Sequence, residues 1–383
     1  MTKFNGYYTV GNETFTSKYE ALLHTARVRK DVKFTWCHGI WSNVDRSLLG
    51  KYSLKELYKQ RALQLRDKYD HLILFYSGGS DSWTVLNTFL ENNIKLDSVC
   101  VRWNMNIVGT YQPNSYDTTA FNHRSEWDLV IQKDLEWLAK YHPEIKIEIA
   151  DWFKDNKLQP LTDDFFMSNN IWSQLVNLHR LNVFPDSWYY NTDKGKKVGN
   201  IYGMDKPVIL HTGSGNVGMR FSDGGVFSHL VPNSQHIGEG VEYFYWAPDM
   251  PILTYEQAYQ LFLFYKKNTH LRHVIDPALY PIMKGNKSFQ EHADDMFDLM
   301  NHYARVALYP DWNFNKFQAL KPRSPSREDK DFWFYQHPEL QKEVSEWRSI
   351  YNDMLFSVHP QLLQGSRFKL HNTPFYHIGN YND

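Results

Sequence analysis

The sequence predicts an α/β fold: a parallel, twisted sheet with helices on both faces, followed by a mainly helical C-terminal region. Three observations carry this. An apolar run, Leu72-Ile73-Leu74-Phe75-Tyr76, passes through a Gly-rich turn into a helix-like run from Trp83 to Asn92. Strand-like and helix-like segments then alternate as far as Leu210, the rhythm of βαβ units with right-handed crossovers. From about Glu242 longer helical runs replace that rhythm. The division expected is an N-terminal appendage with a lead-in helix (1–69), an α/β domain (70–250) and a helical, substrate-side region (251–383).

Each element has its own signal. Phe4 to Val10 and Glu13 to Phe15 alternate across Gly11-Asn12, as a hairpin does. Tyr19 to Val28 reads as a short helix. Ser53 and Glu56 form a capping box, and Leu54, Leu57, Tyr58, Ala62, Leu65 and Tyr69 recur at helical spacing behind it. Leu96 to Arg102 and Lys146 to Ala150 read as the second and third strands, with a helix over His123 to Tyr141 between them. Ile171 to Leu181 looks helical, and Val208-Ile209-Leu210 is the fourth strand candidate. Glu242 to Ala247 reads as a strand. Thr254 to Lys267, Ser288 to Leu308 and Pro338 to Phe356 read as helices. Lys321 to Ser326 reads as a linker or loop, and Phe368 to Asp383 has no clear pattern.

Composition narrows the function classes. Formal net charge is −1, which argues against a surface that grips nucleic acid or anionic membrane as a whole. Two cysteines, Cys37 and Cys100, are too few for a disulfide framework. The first residues lack the apolar core of a signal peptide, and no apolar stretch reaches membrane-spanning length. A cytoplasmic setting without a membrane partner is expected. The 13 Trp and 25 Tyr predict buried aromatic cores and aromatic-lined pockets, with base stacking as a minor alternative.

The turn Ser77-Gly78-Gly79-Ser80-Asp81-Ser82 carries the chemistry. A helix start leaves backbone N–H groups unpaired and partly positive, so it suits phosphate. Gly78 and Gly79 let the backbone approach an anion, and Ser77 and Ser82 add hydroxyl donors. Asp81 repels phosphate by itself, so its place there predicts Mg²⁺ between the two. The bland alternative is a plain strand-to-helix turn capped by Ser and Asp.

This run resembles the SGGxDS signature of the PP-loop (N-type) ATP pyrophosphatases, a family that includes asparagine synthetase, GMP synthetase, NAD synthetase and tRNA lysidine synthetase. The resemblance implies an adenine nucleotide alpha hydrolase-like, Rossmann-like fold with ATP and Mg²⁺ as cofactors. It implies cleavage of ATP to AMP and pyrophosphate, with AMP passed to a carboxylate or carbonyl oxygen that an amine then attacks. A second segment, Val208 to Asn216, is similar to the strand-plus-GEGSDE segment of the asparagine synthetase domain. Gly213 and Gly215 match its glycines and would form a second wall of the nucleotide site. Ser214 stands where the family has Glu, and Val217 where it has Asp, which leaves open whether the catalytic step is retained. The layout also resembles phage-encoded PP-loop proteins, which implies a role in nucleotide or tRNA metabolism, DNA modification or host defence.

Absences sort the family. There is no GxxxxGK[ST] and no CxxC pair, and neither cysteine lies in the C-terminal tail. Thr2 follows Met1 where glutamine-dependent asparagine synthetases have a catalytic Cys. A built-in glutaminase is therefore not expected, and an amine or ammonia donor enzyme is the implied partner. The acceptor is a small molecule, or a tRNA or nucleotide.

Departing pyrophosphate needs cations. Lys284 and Lys321 are the candidate catalytic cations, with Arg323 beside them and Arg220 near the second loop; an exposed, solvated charge is the bland reading of each. By resemblance, the end of the second strand reads adenine, where Arg102 and Trp103 could flank the base. His123, His179, His270 and His273 are expected to play plain polar roles. Rival readings are a nucleotide hydrolase without an acceptor and a non-catalytic ATP-binding module.

Overall fold

The computed structural model describes residues 6–103, 127–151, 185–203, 207–211, 214–223, 240–275, 305–310, 349, 353, 356–364 and 367–383. Strands β1 (Gly6–Val10), β2 (Glu13–Phe15) and β3 (Val32–Trp36) form an antiparallel sheet in the order β2-β1-β3. β1 and β2 make the hairpin expected at Gly11-Asn12, with Val10 opposite Glu13. Helix α1 (Lys18–Val28) starts at a Ser17 cap, and a short α2 (His38–Trp41) follows β3. Helix α3 (Leu54–Lys68) has the capping box read from the sequence. Glu56 N donates to Ser53 Oγ at 3.2 Å, and Ser53 N donates to Glu56 Oε2 at 2.8 Å.

Beyond α3 the chain builds a five-stranded parallel sheet. Strand β4 (His71–Phe75) leads into α4 (Ser80–Glu91), then β5 (Ser98–Trp103). A π-helical turn, Trp127–Ile131, runs into α5 (Gln132–Tyr141), which leads to β6 (Lys146–Asp151). Helix α6 (Asp186–Asp193) precedes β7 (Val198–Tyr202). Next come β8 (Val208–His211) and β9 (Asn216–Arg220), outside this sheet, and β10 (Val241–Tyr243), within it. The order is β10-β7-β4-β5-β6, with every pair parallel. This is an α/β, Rossmann-like sheet whose strand order reverses between β4 and β7. Ligands in such sheets sit beyond the strand carboxyl ends at that reversal.

One strand was misplaced by its local pattern. Val208-Ile209-Leu210 looks like a buried parallel strand, but β8 belongs to a separate antiparallel sheet, β13-β9-β8, closed by β13 (Tyr376–Asn380). The fourth parallel strand is β7, whose Gly199 and Asn200 are poor strand formers. Gly199 is there for close packing: a Cβ on it would lie 2.6 Å from Tyr69 Cδ2. The expected strand from Glu242 to Ala247 is confined to β10. Helix α7 (Pro251–Lys267) begins three residues before Thr254, with Pro251 in its first turn. The described residues of 251–383 hold helical turns at Thr269–Ile275 and Pro360–Leu362 beside α7, and strands that were not expected. They include the short pair β11 (Leu363–Gln364) and β12 (Arg367–Phe368) as well as β13. Residues 123–126, the expected helix at 171–181, and most of those at 288–308 and 338–356 lie outside the described residues.

The core runs through all three expected segments. Trp36 packs on Trp41 (ring centroids 5.3 Å) and Phe221 (4.8 Å), and Phe221 packs on Trp246 (5.4 Å). The N-terminal sheet is thereby joined to the end of β9 and the stretch after β10. No helix among the described residues is long and apolar enough to cross a membrane.

A buried ionic junction reinforces that union. Asp223 receives Lys18 Nζ at 2.7 Å, the Tyr8 hydroxyl at 2.9 Å and the His371 backbone N–H at 3.0 Å. Burial pushes the Asp223 carboxyl up, but the Lys18 ammonium and the hydrogen bonds from His371 and Lys18 outweigh it and bring the pKa to about 2. A carboxyl depressed in the folded state stabilises above its unfolded value, about 3.9, and that stabilisation is lost as pH falls through the folded value. The shift is worth about 2–3 kcal/mol. Denaturant unfolding at a series of pH values should show this loss between about pH 4 and pH 2. Asp223→Asn should flatten that part of the profile; an unchanged slope would refute this role.

Candidate nucleotide site

Strand β4 ends at Phe75, and Tyr76 N still donates to Cys100 O at 2.9 Å. The chain turns through Ser77-Gly78-Gly79 and enters α4 at Ser80, three residues before the expected Trp83. Ser80, Asp81 and Ser82 therefore form the first helical turn. Gly79 is the N-cap, and no side chain caps the helix. The first-turn N–H groups point their partial positive charge beyond the carboxyl end of β4.

Two serines close the loop on itself. Ser77 N donates to Ser82 Oγ (3.2 Å), which donates to Gly79 O (3.1 Å) and lies 3.2 Å from Ser77 Oγ. The Ser80 hydroxyl is buried and has no hydrogen-bond partner. Gly78 has φ +72°, and a Cβ on it would lie 2.9 Å from Ile131 Cγ1 and 3.1 Å from Val130 Cγ1. The π-helical turn thus holds the loop from one side. Gly203, just past β7, holds it from the other. A Cβ there would meet Ser82 Cα at 3.0 Å and Asp81 O at 3.1 Å. These positions flank the reversal point of the sheet.

Asp81 is the acidic residue of this turn and is half-buried. The Tyr309 hydroxyl donates to its Oδ1, and the Tyr245 hydroxyl donates to its main-chain carbonyl at 2.8 Å. The Tyr245 ring touches those of Tyr58 (5.6 Å) and Tyr309 (5.8 Å), and Tyr58 donates to Leu308 O at 2.8 Å. Burial, reinforced by the Asp81 charge, pushes all three phenols well above their ordinary pKa, so they stay neutral. Among the described residues no three His, Cys, Asp or Glu converge on a metal-binding point. A carboxylate at a helix start is a type of ligand Mg²⁺ accepts, since that ion keeps several waters and binds one or two carboxylates plus phosphates.

The expected adenine pair separates. Arg102 lies over the Phe75 ring (4.6 Å) and the Tyr202 ring (5.5 Å), which stack at 4.5 Å. Trp103, the next residue, faces the opposite side of β5 and packs on Trp127 at 5.7 Å. Successive strand residues alternate faces, so the two cannot flank one base.

The second-wall residues belong to the separate antiparallel sheet. Gly215 lies in the turn of the antiparallel β8–β9 hairpin, where its carbonyl accepts from Tyr381 N at 3.0 Å, against the C-terminal tail. Arg220 is half-buried at the end of β9, opposite Val208. Gly213, Lys284, Lys321 and Arg323 lie outside the described residues. Gly203, Tyr245 and Tyr309 escaped the sequence reading. Gly203 had a signal, a glycine just after a strand, but that strand went unrecognised. The two tyrosines had none. Comparison with protein-family models finds no match for this chain, and comparison with curated proteins finds none either.

Proposed function

We propose that this protein is an ATP-dependent adenylating enzyme of the PP-loop ATP pyrophosphatase type, nearest in its loop to the asparagine synthetase domain. The observation that carries the reading is the Ser77–Ser82 turn at the carboxyl end of β4, at the reversal point of the sheet, with α4 uncapped by any side chain. The first-turn N–H groups of α4, the backbone of Gly78 and Gly79 and the hydroxyls of Ser77 and Ser82 bind the β- and γ-phosphates of ATP. Gly78 and Gly203 let the π-helical turn and the end of β7 pack closely against the loop. Asp81 would hold Mg²⁺, which supplies charge neutralisation on the phosphates. A substrate carboxylate or carbonyl oxygen attacks the α-phosphorus, the α–β phosphoanhydride bond breaks, and pyrophosphate leaves. An amine then displaces AMP. The chain's contribution is positioning and charge stabilisation.

The test is incubation of purified protein with Mg²⁺, α-labelled ATP and a pooled metabolite and tRNA extract. AMP and pyrophosphate formed only with extract are the expected products. Fast AMP release without extract would make the protein a nucleotide hydrolase. ADP and phosphate, or no turnover at all, would overturn the adenylation reading.

A further inference from the structure

The geometry points to Tyr309 as the residue that orients the Asp81 carboxylate toward a divalent cation, an inference that rests on the nucleotide-site reading above. Among the described residues, two tyrosine hydroxyls reach Asp81. Tyr309 donates to carboxylate Oδ1, and Tyr245 donates to the main-chain carbonyl. The donors come from 228 and 164 residues away in sequence, so the tertiary fold brings them to the start of α4. Capping a helix requires neither.

Tyr309 is itself fixed. Its ring is 2 % exposed and packs on Tyr245, its backbone N–H donates to Arg305 O at 2.8 Å, and the preceding carbonyl accepts from Tyr58. A hydrogen bond to one oxygen of a ligating carboxylate fixes its rotation and directs the other toward the metal, and loss of such an outer partner typically costs 10–100-fold in metal affinity. Tyr309 is thus a positioning residue that acts through Asp81.

The test is calorimetric titration of ATP into the full chain, with Mg²⁺ and with EDTA. Wild type should bind more tightly with Mg²⁺. Tyr309→Phe should lose about 10–100-fold of the Mg²⁺-dependent affinity and keep the affinity measured in EDTA. Asp81→Asn should lose the same gain, and the double variant should lose no more than Asp81→Asn alone, since both changes remove one linked interaction. Tyr245→Phe, which leaves the carboxylate contact intact, should retain the gain. Equal Mg²⁺ dependence in wild type and Tyr309→Phe overturns the proposal. Tighter Mg²⁺-dependent binding in Tyr309→Phe also overturns it, by making Tyr309 a competitor of the cation. Equal loss in Tyr245→Phe reduces Tyr309 to a packing role. A wild type that binds no ATP in either condition overturns the nucleotide reading and this one together; one that binds ATP while the variant behaves identically overturns only this one.

Discussion

Arg61→Met is expected to lower the unfolding free energy by about 3–5 kcal/mol, because it removes one partner of a buried ion pair. Arg61 lies on the buried face of α3 with 0 % exposure, among leucines and a tyrosine. Its guanidinium donates to Glu242 Oε2 at 2.8 Å, Tyr243 O at 3.0 Å and Asp249 Oδ1 at 3.1 Å. Glu242, equally buried on β10, also receives Lys68 Nζ at 2.8 Å and the Tyr69 hydroxyl. Removing the guanidinium leaves the Glu242 charge in a low-dielectric site short of one of its cations. Replacing both ions by apolar groups of similar volume removes the penalty, so Arg61→Met with Glu242→Leu should recover most of the loss. Urea titration with an unchanged slope checks both variants. A loss under about 1 kcal/mol in Arg61→Met, the range of an exposed pair, would show the network to be dispensable. Tyr245 lies three residues beyond Glu242, so this network also anchors the segment that reaches Asp81.

Gly78→Val is expected to abolish nucleotide binding while leaving most of the fold intact. Two penalties coincide. A β-branched residue at φ +72° is a steric outlier, worth about 1–2 kcal/mol or more. Its Cβ would lie 2.9 Å from Ile131 Cγ1, and overpacking of that kind costs about 1–3 kcal/mol. The loop can relieve both only by moving away from the π-helical turn, which displaces the first-turn N–H groups of α4. Ten-fold in affinity corresponds to about 1.4 kcal/mol, so the summed strain of about 2–5 kcal/mol predicts a loss of well over ten-fold if the loop moves. Ile131→Ala added to Gly78→Ala should relieve the contact and leave the backbone penalty, with partial recovery. Calorimetric ATP titration distinguishes these outcomes. Wild-type affinity in Gly78→Val would show that the loop does not bind the nucleotide.

The elements that could be read from the chain are those whose signals are local. The Gly11-Asn12 hairpin, the Ser53–Glu56 capping box and β4 each occupy a short window, and the structure has all three. β7 failed because its glycine answers to Tyr69, a ring more than a hundred residues away in sequence. Val208-Ile209-Leu210 failed because an apolar triplet does not say which sheet will take it. Its partner β9 follows in sequence, but β13 comes from the far end of the chain.

The sequence by itself determined the class of the sheet and the position of the Gly-rich loop, because strand, glycine turn and helix start are consecutive. Tertiary structure decided what surrounds that loop. Strand order put the loop at the reversal point beside Gly203, β-strand alternation sent Arg102 and Trp103 to opposite faces, and folding brought Tyr245 and Tyr309 onto Asp81. Contacts that close loops of this length follow from the packing of whole elements, and they leave no periodicity or motif at either end from which they could be read.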